Sequence, residues 1–234
     1  MSQEEIFSVA KLLLEYLVPT LKLFGATVLF SLPLGMIVAL LRMWKCKPVN
    51  WLVSLYILIM RGTPLMLQTI AIYYAIPYLK LNPDLPQFLQ TILGYIDIKS
   101  DSYMFQAVVV AFTLNYTAYF AEIFRGGIAS IPKGQYEAAA CLGMTKVQTF
   151  FRIILPQVVK RILPASANEI ITLVKDTSLA NVIAYAEITL KAKQQMQLYS
   201  SLTPLFLAGL FYLIMTMVLT GIFAFFEKKL SYYK

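Results

Sequence analysis

Asn115, Tyr119 and Glu122 recur at i, i+4 and i+7 in a run with no other charged residue before it for nearly twenty positions, so they share one face of a helix. An amide, a phenol and a carboxylate on one stripe suit the grip of a polar or cationic solute by charge-assisted hydrogen bonds. The competing arrangement is an ion pair between Glu122 and Arg125, one turn on. A second apolar run is interrupted by Arg61, placed to receive a substrate carboxylate, anchor the run or gate a path, and by Gln68, a neutral contact. Glu169, Lys175 and Asp176 interrupt a third run and read as structural, an internal salt bridge followed by a helix stop near Thr177 and Ser178. Polar groups inside apolar segments face protein or a watery cavity, so Asn115, Tyr119, Glu122, Gln68 and Arg61 outline a candidate substrate pathway.

Covalent chemistry has little support. The chain has no histidine, which excludes histidine metal sites, Ser/His/Asp triads and histidine proton relays. Cys46 and Cys141 stand alone, without a CxxC pair. No catalytic residue, metal site or cofactor is expected, and the chain is not expected to be an enzyme.

The elements that position these residues are membrane spans. Hydrophobic residues make up 59% of the 234 and charged residues only 14%, and mean hydropathy is +0.69, well beyond a soluble domain. The opening MSQEEIFSVAK carries glutamates where a secretory signal would be basic, so no cleaved signal is expected. Residues 23–41, 103–121 and 204–226 carry no charge and are each long enough to cross a bilayer. Residues 48–79 form a longer apolar stretch in which Gly62 and Pro64 disfavour one continuous helix; Thr63 followed by Pro64 reads as an N-cap with proline at the first helical position. A weaker segment, residues 162–186, contains Glu169, Lys175 and Asp176, which suggests helix ends buried in protein.

Five spans put the termini on opposite sides. With the N-terminus outside, twelve of the 20 Lys and Arg lie on inner segments, seven on outer ones, and Arg61 within the second span. The positive-inside bias therefore favours an outer N-terminus and a cytoplasmic C-terminus, and it accounts for the net charge of +8 without invoking nucleic acid. Within residues 1–18, Glu4, Ser8, Lys11 and Glu15 oppose Ile6, Val9, Leu13 and Leu17, as in an amphipathic helix lying on the outer face before Pro19 turns the chain inward. A plain extension of the first span is the alternative.

One inner segment is unusual. In residues 122–161 a short helix is expected over 135–142, with Glu137 in its first turn, Ala138, Ala139 and Ala140 leaving its sides bare, and Gly143 as its stop. Thr145 and Gln148 form a capping-box pattern that starts another helix, which Pro156 interrupts. An isolated two-turn helix is unstable in water, so it needs something to pack against, its own loops or another chain.

The run Glu137, Ala138, Ala139, three residues, Gly143, nine residues, Ile153, one residue, Leu155, Pro156 matches in full the EAA loop of ABC importer permease subunits. RGTPLMLQ at 61–68, AYFAEIFRGGIASIPKGQYEAA at 118–139 and VKDTSLANVIAYAEIT at 174–189 resemble the polar amino acid permeases that serve arginine, histidine, glutamine, glutamate and similar substrates. The resemblance covers residues 10–230.

It implies an all-α membrane protein with the type I ABC importer permease fold and five transmembrane helices, in the cytoplasmic (inner) membrane of a bacterium. It implies that the EAA helix is a coupling helix inserted into a groove on a separate ATP-binding subunit; the chain itself contains no G-x-x-x-x-G-K-[ST] phosphate loop. Further implied partners are a second permease, as a homodimer or a homologue, and an extracytoplasmic amino-acid-binding protein. Glu122, with no lysine on its helix, favours arginine or another basic substrate, glutamine next. A secondary transporter or a channel is the alternative class, without a visible internal repeat, filter or charge ring.

Overall fold

The computed structural model describes residues 1–98 and 100–230, and every regular element within them is a helix. α1 (Gln3–Glu15) opens with a Ser2/Glu5 capping box and is followed, after Tyr16, by α2 (Leu17–Met43). α3 (Lys47–Gly62) and α4 (Leu65–Lys80) are two halves of one apolar stretch, bent by 110°. A short α5 (Gln87–Gly94) leads to α6 (Asp101–Ala129). α7 (Lys133–Cys141), α8 (Lys146–Thr149) and a π turn (Phe150–Ile154) feed α9 (Leu155–Asp176). A 3-10 helix (Thr177–Ile183), α10 (Ile188–Tyr199) and α11 (Thr203–Leu230) complete the fold.

α6 is the hub. Val108, Ala111, Phe112, Ala118, Phe120 and Ala121 are fully buried on it. Against it α2 turns a stripe with a four-residue step, Leu23, Thr27, Ser31, Gly35 and Ala39, all buried. Small residues let the two backbones approach closely, as in membrane helix pairs: a Cβ on Gly35 would stand 2.7 Å from Phe120 Cβ. A methyl group there has no room. By contrast, only 6% of the most apolar window of α11 is buried, against 67% of that of α6, so α11 turns its greasy surface outward.

α1 does not turn at Pro19, which lies inside α2; Gln3–Met43 forms one helical stretch interrupted only at Tyr16, the extension of the first span given above as the alternative. Val9 and Leu13, on the apolar stripe, are buried against Ile188, Ala192 and Ala208 of α10 and α11. Glu187 fixes that corner: fully buried, it caps α10 by accepting from the amides of Thr189 (2.7 Å) and Leu190 (2.8 Å), and from the Tyr212 hydroxyl of α11 (2.8 Å).

Several expected boundaries move. Among the described residues, three helical stretches, Gln3–Met43, Ser102–Ala129 and Thr203–Leu230, are long and apolar enough to cross a membrane, and the bent α3–α4 pair makes a fourth if counted as one span. α9 falls short of that measure because of its polar residues. It begins at Leu155 and ends at Asp176, not over 162–186, and the chain continues as a 3-10 helix. Pro156 does not break it: the π turn lets Leu155 N–H reach back to Phe150 O, so the proline sits in the first turn, where its missing donor costs little. Pro64 is the N-cap of α4 and Thr63 the C-cap of α3, one position off the expected pairing. The segment 122–161 is no plain loop, since α6 runs to Ala129 and α9 starts at Leu155.

Candidate functional site

Pro64 makes the site by breaking a helix. It has no N–H to give and forces the residue before it out of the helical region; Thr63 is extended, with φ −121° and ψ 150°. The last carbonyls of α3 are thereby left without helical partners. Side chains replace them. Gln68 Nε2 donates to Met60 O (3.0 Å), Thr63 O (3.2 Å) and Thr63 Oγ1 (2.7 Å). Asn115 Nδ2, from α6, donates to Met60 O (2.8 Å) and to Gln68 Oε1 (3.0 Å). Both amides are buried. Two of the five pathway candidates therefore hold the break open, whatever else they touch.

Arg61 and Tyr119 meet beside this knot, with Arg61 Cζ 5.1 Å from the ring centroid, a cation–π distance. Glu122 is gripped in a fork by Arg125, whose Nη2 donates to Oε2 at 2.7 Å and whose Nε donates at 3.0 and 3.1 Å. The ion pair weighed as the alternative for Glu122 is the arrangement present.

A cavity of about 470 Å³ opens between the break, α6 and α9. Asn115 and Tyr119 line it, together with Thr63, Tyr116, Glu169 and Asp176. Glu122 and Arg61 do not line it. Asp176 accepts from the Tyr116 hydroxyl at 2.7 Å, and Glu169 lies two turns back on the same face of α9. Neither carboxylate has a Lys or Arg nitrogen within 4 Å among the described residues, where the one ion pair is Arg125–Glu122. Lys175 is exposed. Two half-buried carboxylates thus share the wall of one cavity, where the chemistry of an ionised carboxylate suits a cationic group. The i, i+7 spacing of Glu169 and Asp176 was visible in the sequence; that the face points into a cavity was not.

The second part of the site is α7. It starts two residues before the expected helix and ends one earlier. Ala139 is buried while Glu137 and Ala138 are exposed. Met144 N–H bonds to Ala139 O (3.1 Å) and Gly143 N–H to Ala140 O (3.0 Å), with Gly143 at φ +72°. This is the paired terminal bonding of a Schellman motif, which needs the left-handed residue that glycine supplies without strain. Ile128, Ile131, Ile154 and Val158 form a small buried cluster that joins the end of α6 to the π turn and α9, and α7 rests on α8 and the π turn. Outside, Leu142, Val147 and Phe151 are each more than half exposed, an apolar rim around the short helix.

Residues 31–232 match the family described as "Binding-protein-dependent transport system inner membrane component". The chain belongs to this family. The permease is 37% identical to the arginine transport system permease protein ArtQ of Bacillus subtilis over 221 residues, 94% of this chain and 92% of that protein. It is 36% identical to the probable amino-acid ABC transporter permease protein PatM of Vibrio harveyi, again over 94% and 92%. Among solved structures, a crystal structure of an amino acid ABC transporter with histidines superposes with a TM-score of 0.82 at 31% identity, covering 98% of the permease and 99% of that chain. The MetNI methionine ABC transporter shares the fold, with a TM-score of 0.68 at 18% identity over 99% of the permease and 100% of that chain. The resemblance to amino acid ABC permeases is thus met by sequence relatives and by fold.

Proposed function

We propose that the permease is the transmembrane subunit of an ATP-driven importer for basic amino acids, arginine foremost, in the bacterial cytoplasmic membrane. The observation that carries the substrate class is the pair of carboxylates, Glu169 and Asp176, in one cavity with no Lys or Arg nitrogen within 4 Å among the described residues; Arg61 and Lys175 act on them only from farther away. A guanidinium or ammonium group supplies the missing charge, whereas an acidic side chain meets repulsion. Relatives named for arginine, glutamine, octopine and cystine transport span a wider range, and the cavity's charge selects within it.

In this reading ATP is hydrolysed on a separate subunit that receives α7. The exposed helix, its apolar rim and the Schellman stop at Gly143 supply a firm, protruding contact of that kind. A second permease, a homodimer being the simpler arrangement, completes the pathway, and an extracytoplasmic binding protein delivers the substrate. The five-span topology with an outer N-terminus is retained, with α9 as the polar, protein-sheltered span and α3–α4 as the broken one.

The test is uptake of arginine and glutamine by the reconstituted complex carrying Glu169→Gln or Asp176→Asn. Loss of a charge-assisted contact is expected to lower arginine uptake about tenfold or more relative to glutamine. Equal losses for both substrates would make the carboxylates structural and remove the basic-substrate assignment.

A further inference from the structure

The corner between α2 and α3 lies away from the substrate cavity and holds both tryptophans of the chain. Trp44 is the C-cap of α2 and Trp51 lies in the second turn of α3, 58% and 62% exposed. Neither indole N–H is hydrogen-bonded among the described residues. Lys45 and Lys47, between them in sequence, are exposed as well. The corner has a fixed shape, because Arg42 Nη1 donates to Asn50 Oδ1 while Asn50 Nδ2 donates back to Arg42 O.

α3 is an arm of the fold. Of its 16 residues Ile57 alone is buried. At about 24 Å it is too short for a hydrocarbon core of roughly 30 Å. It carries the chain from the corner to the middle of α6, where Met60 O accepts from Asn115, so it has the depth of one leaflet. The 110° bend keeps α3 and α4 from both standing along the membrane normal, so α3 leans. Lys47, Trp51, Leu55 and Leu58 recur at steps of 4, 4 and 3 along its uncovered face, all exposed. From the corner inward that face reads cation, indole, aliphatic, the order of a phospholipid taken from its headgroup down.

The charge of the corner is uncompensated. From residue 16 to residue 83 the sequence has no Asp or Glu. Neither Lys45 nor Lys47 has a carboxylate within 4 Å among the described residues. A zwitterionic headgroup brings its own ammonium to such a place, whereas an anionic one supplies the missing charge.

We propose that the Trp44 corner and the uncovered face of α3 are a seat for an anionic phospholipid. Its phosphate lies between Lys45 and Lys47, its glycerol esters accept from the indoles of Trp44 and Trp51, and an acyl chain runs along Leu55 and Leu58.

The full-length permease is reconstituted in phosphatidylcholine vesicles containing a minor fraction of phosphatidylglycerol. In one sample the phosphatidylglycerol carries brominated acyl chains; in the other an equal amount of the phosphatidylcholine does, so the composition is constant and the quencher alone moves. Intrinsic tryptophan fluorescence then reports on this corner and nowhere else in the chain. Brominated phosphatidylglycerol is expected to quench severalfold more strongly than brominated phosphatidylcholine. Lys45→Gln with Lys47→Gln should make the two quenchers equal while phosphatidylcholine still quenches, because the indoles stay at the interface. Lys228→Gln with Lys229→Gln, which removes the same charge from the last turn of α11, should leave the preference in place. Equal quenching in the unaltered permease, or a preference that survives loss of Lys45 and Lys47, overturns the proposal. So does an equal loss in both lysine pairs, which assigns the preference to net charge. Absence of quenching by either lipid also overturns it, giving the face to a protein neighbour such as a second copy. The measurement needs no substrate, so its outcome is independent of the basic-substrate assignment.

Discussion

The side-chain amides of Gln68 and Asn115 converge on one carbonyl oxygen, Met60 O, at 3.0 and 2.8 Å, and bond to each other at 3.0 Å. Buried acceptors at a helix break cost about 1–3 kcal/mol each when left unpaired. Gln68→Leu and Asn115→Leu are each expected to destabilise the permease by roughly that amount in chemical denaturation in mixed micelles. Because the two residues share an acceptor, the double variant should lose less than the sum. Strictly additive costs would show that the amides act separately.

The packing of α6 on α9 rests on a missing side chain. A Cβ on Gly127 would stand 2.2 Å from Ile162 Cγ2 and 3.3 Å from Val158 Cγ1, while one on the neighbouring Gly126 meets nothing within 4 Å. Gly127→Ala is expected to cost about 1–3 kcal/mol by overpacking. Adding Ile162→Ala should recover part of the loss. Gly126→Ala should be neutral or slightly stabilising, since alanine is the better helix former. Equal behaviour of the two glycine variants in the same denaturation assay would contradict this helix contact.

Gly143 is a different case, because space is open around it and only its φ of +72° matters. A side chain there costs about 1–2 kcal/mol in backbone strain. Gly143→Asp adds charge to strain at the end of the exposed helix and is expected to loosen the ATPase subunit or uncouple substrate-stimulated hydrolysis; Gly143→Ala, which adds strain alone, should do so less. Assembly and stimulation unchanged in Gly143→Asp would remove α7 as the docking element.

Cys46, just before α3, and Cys141, in the last turn of α7, are both exposed. With the N-terminus outside, both face the cytoplasm, so an impermeant thiol reagent should label each single-cysteine variant in inverted vesicles and neither in intact cells. Labelling of either from outside would reverse the topology.

Much was legible in order of residues because it depends on short spacing alone. The break at Thr63–Pro64, the stop at Gly143, the Thr145/Gln148 cap and the buried stripe of Val9 and Leu13 are local consequences of proline geometry, glycine's left-handed freedom and helical periodicity. The EAA spacing carried the family in the same way. What the tertiary fold decided was partnership across long separations. Glu122 and Asp176 look alike as single acids in apolar runs, yet Glu122 meets Arg125 on its own helix, while Asp176 meets Tyr116 sixty residues away and faces a cavity. Asn115 lies on the stripe that periodicity assigned to a pathway, but its amide is spent largely on a helix end 55 residues earlier in the chain. The physical reason is that periodicity fixes which residues share a face, whereas the charge or carbonyl that a face meets is set by how α3, α6 and α9 pack around a break whose 110° bend no local rule specifies.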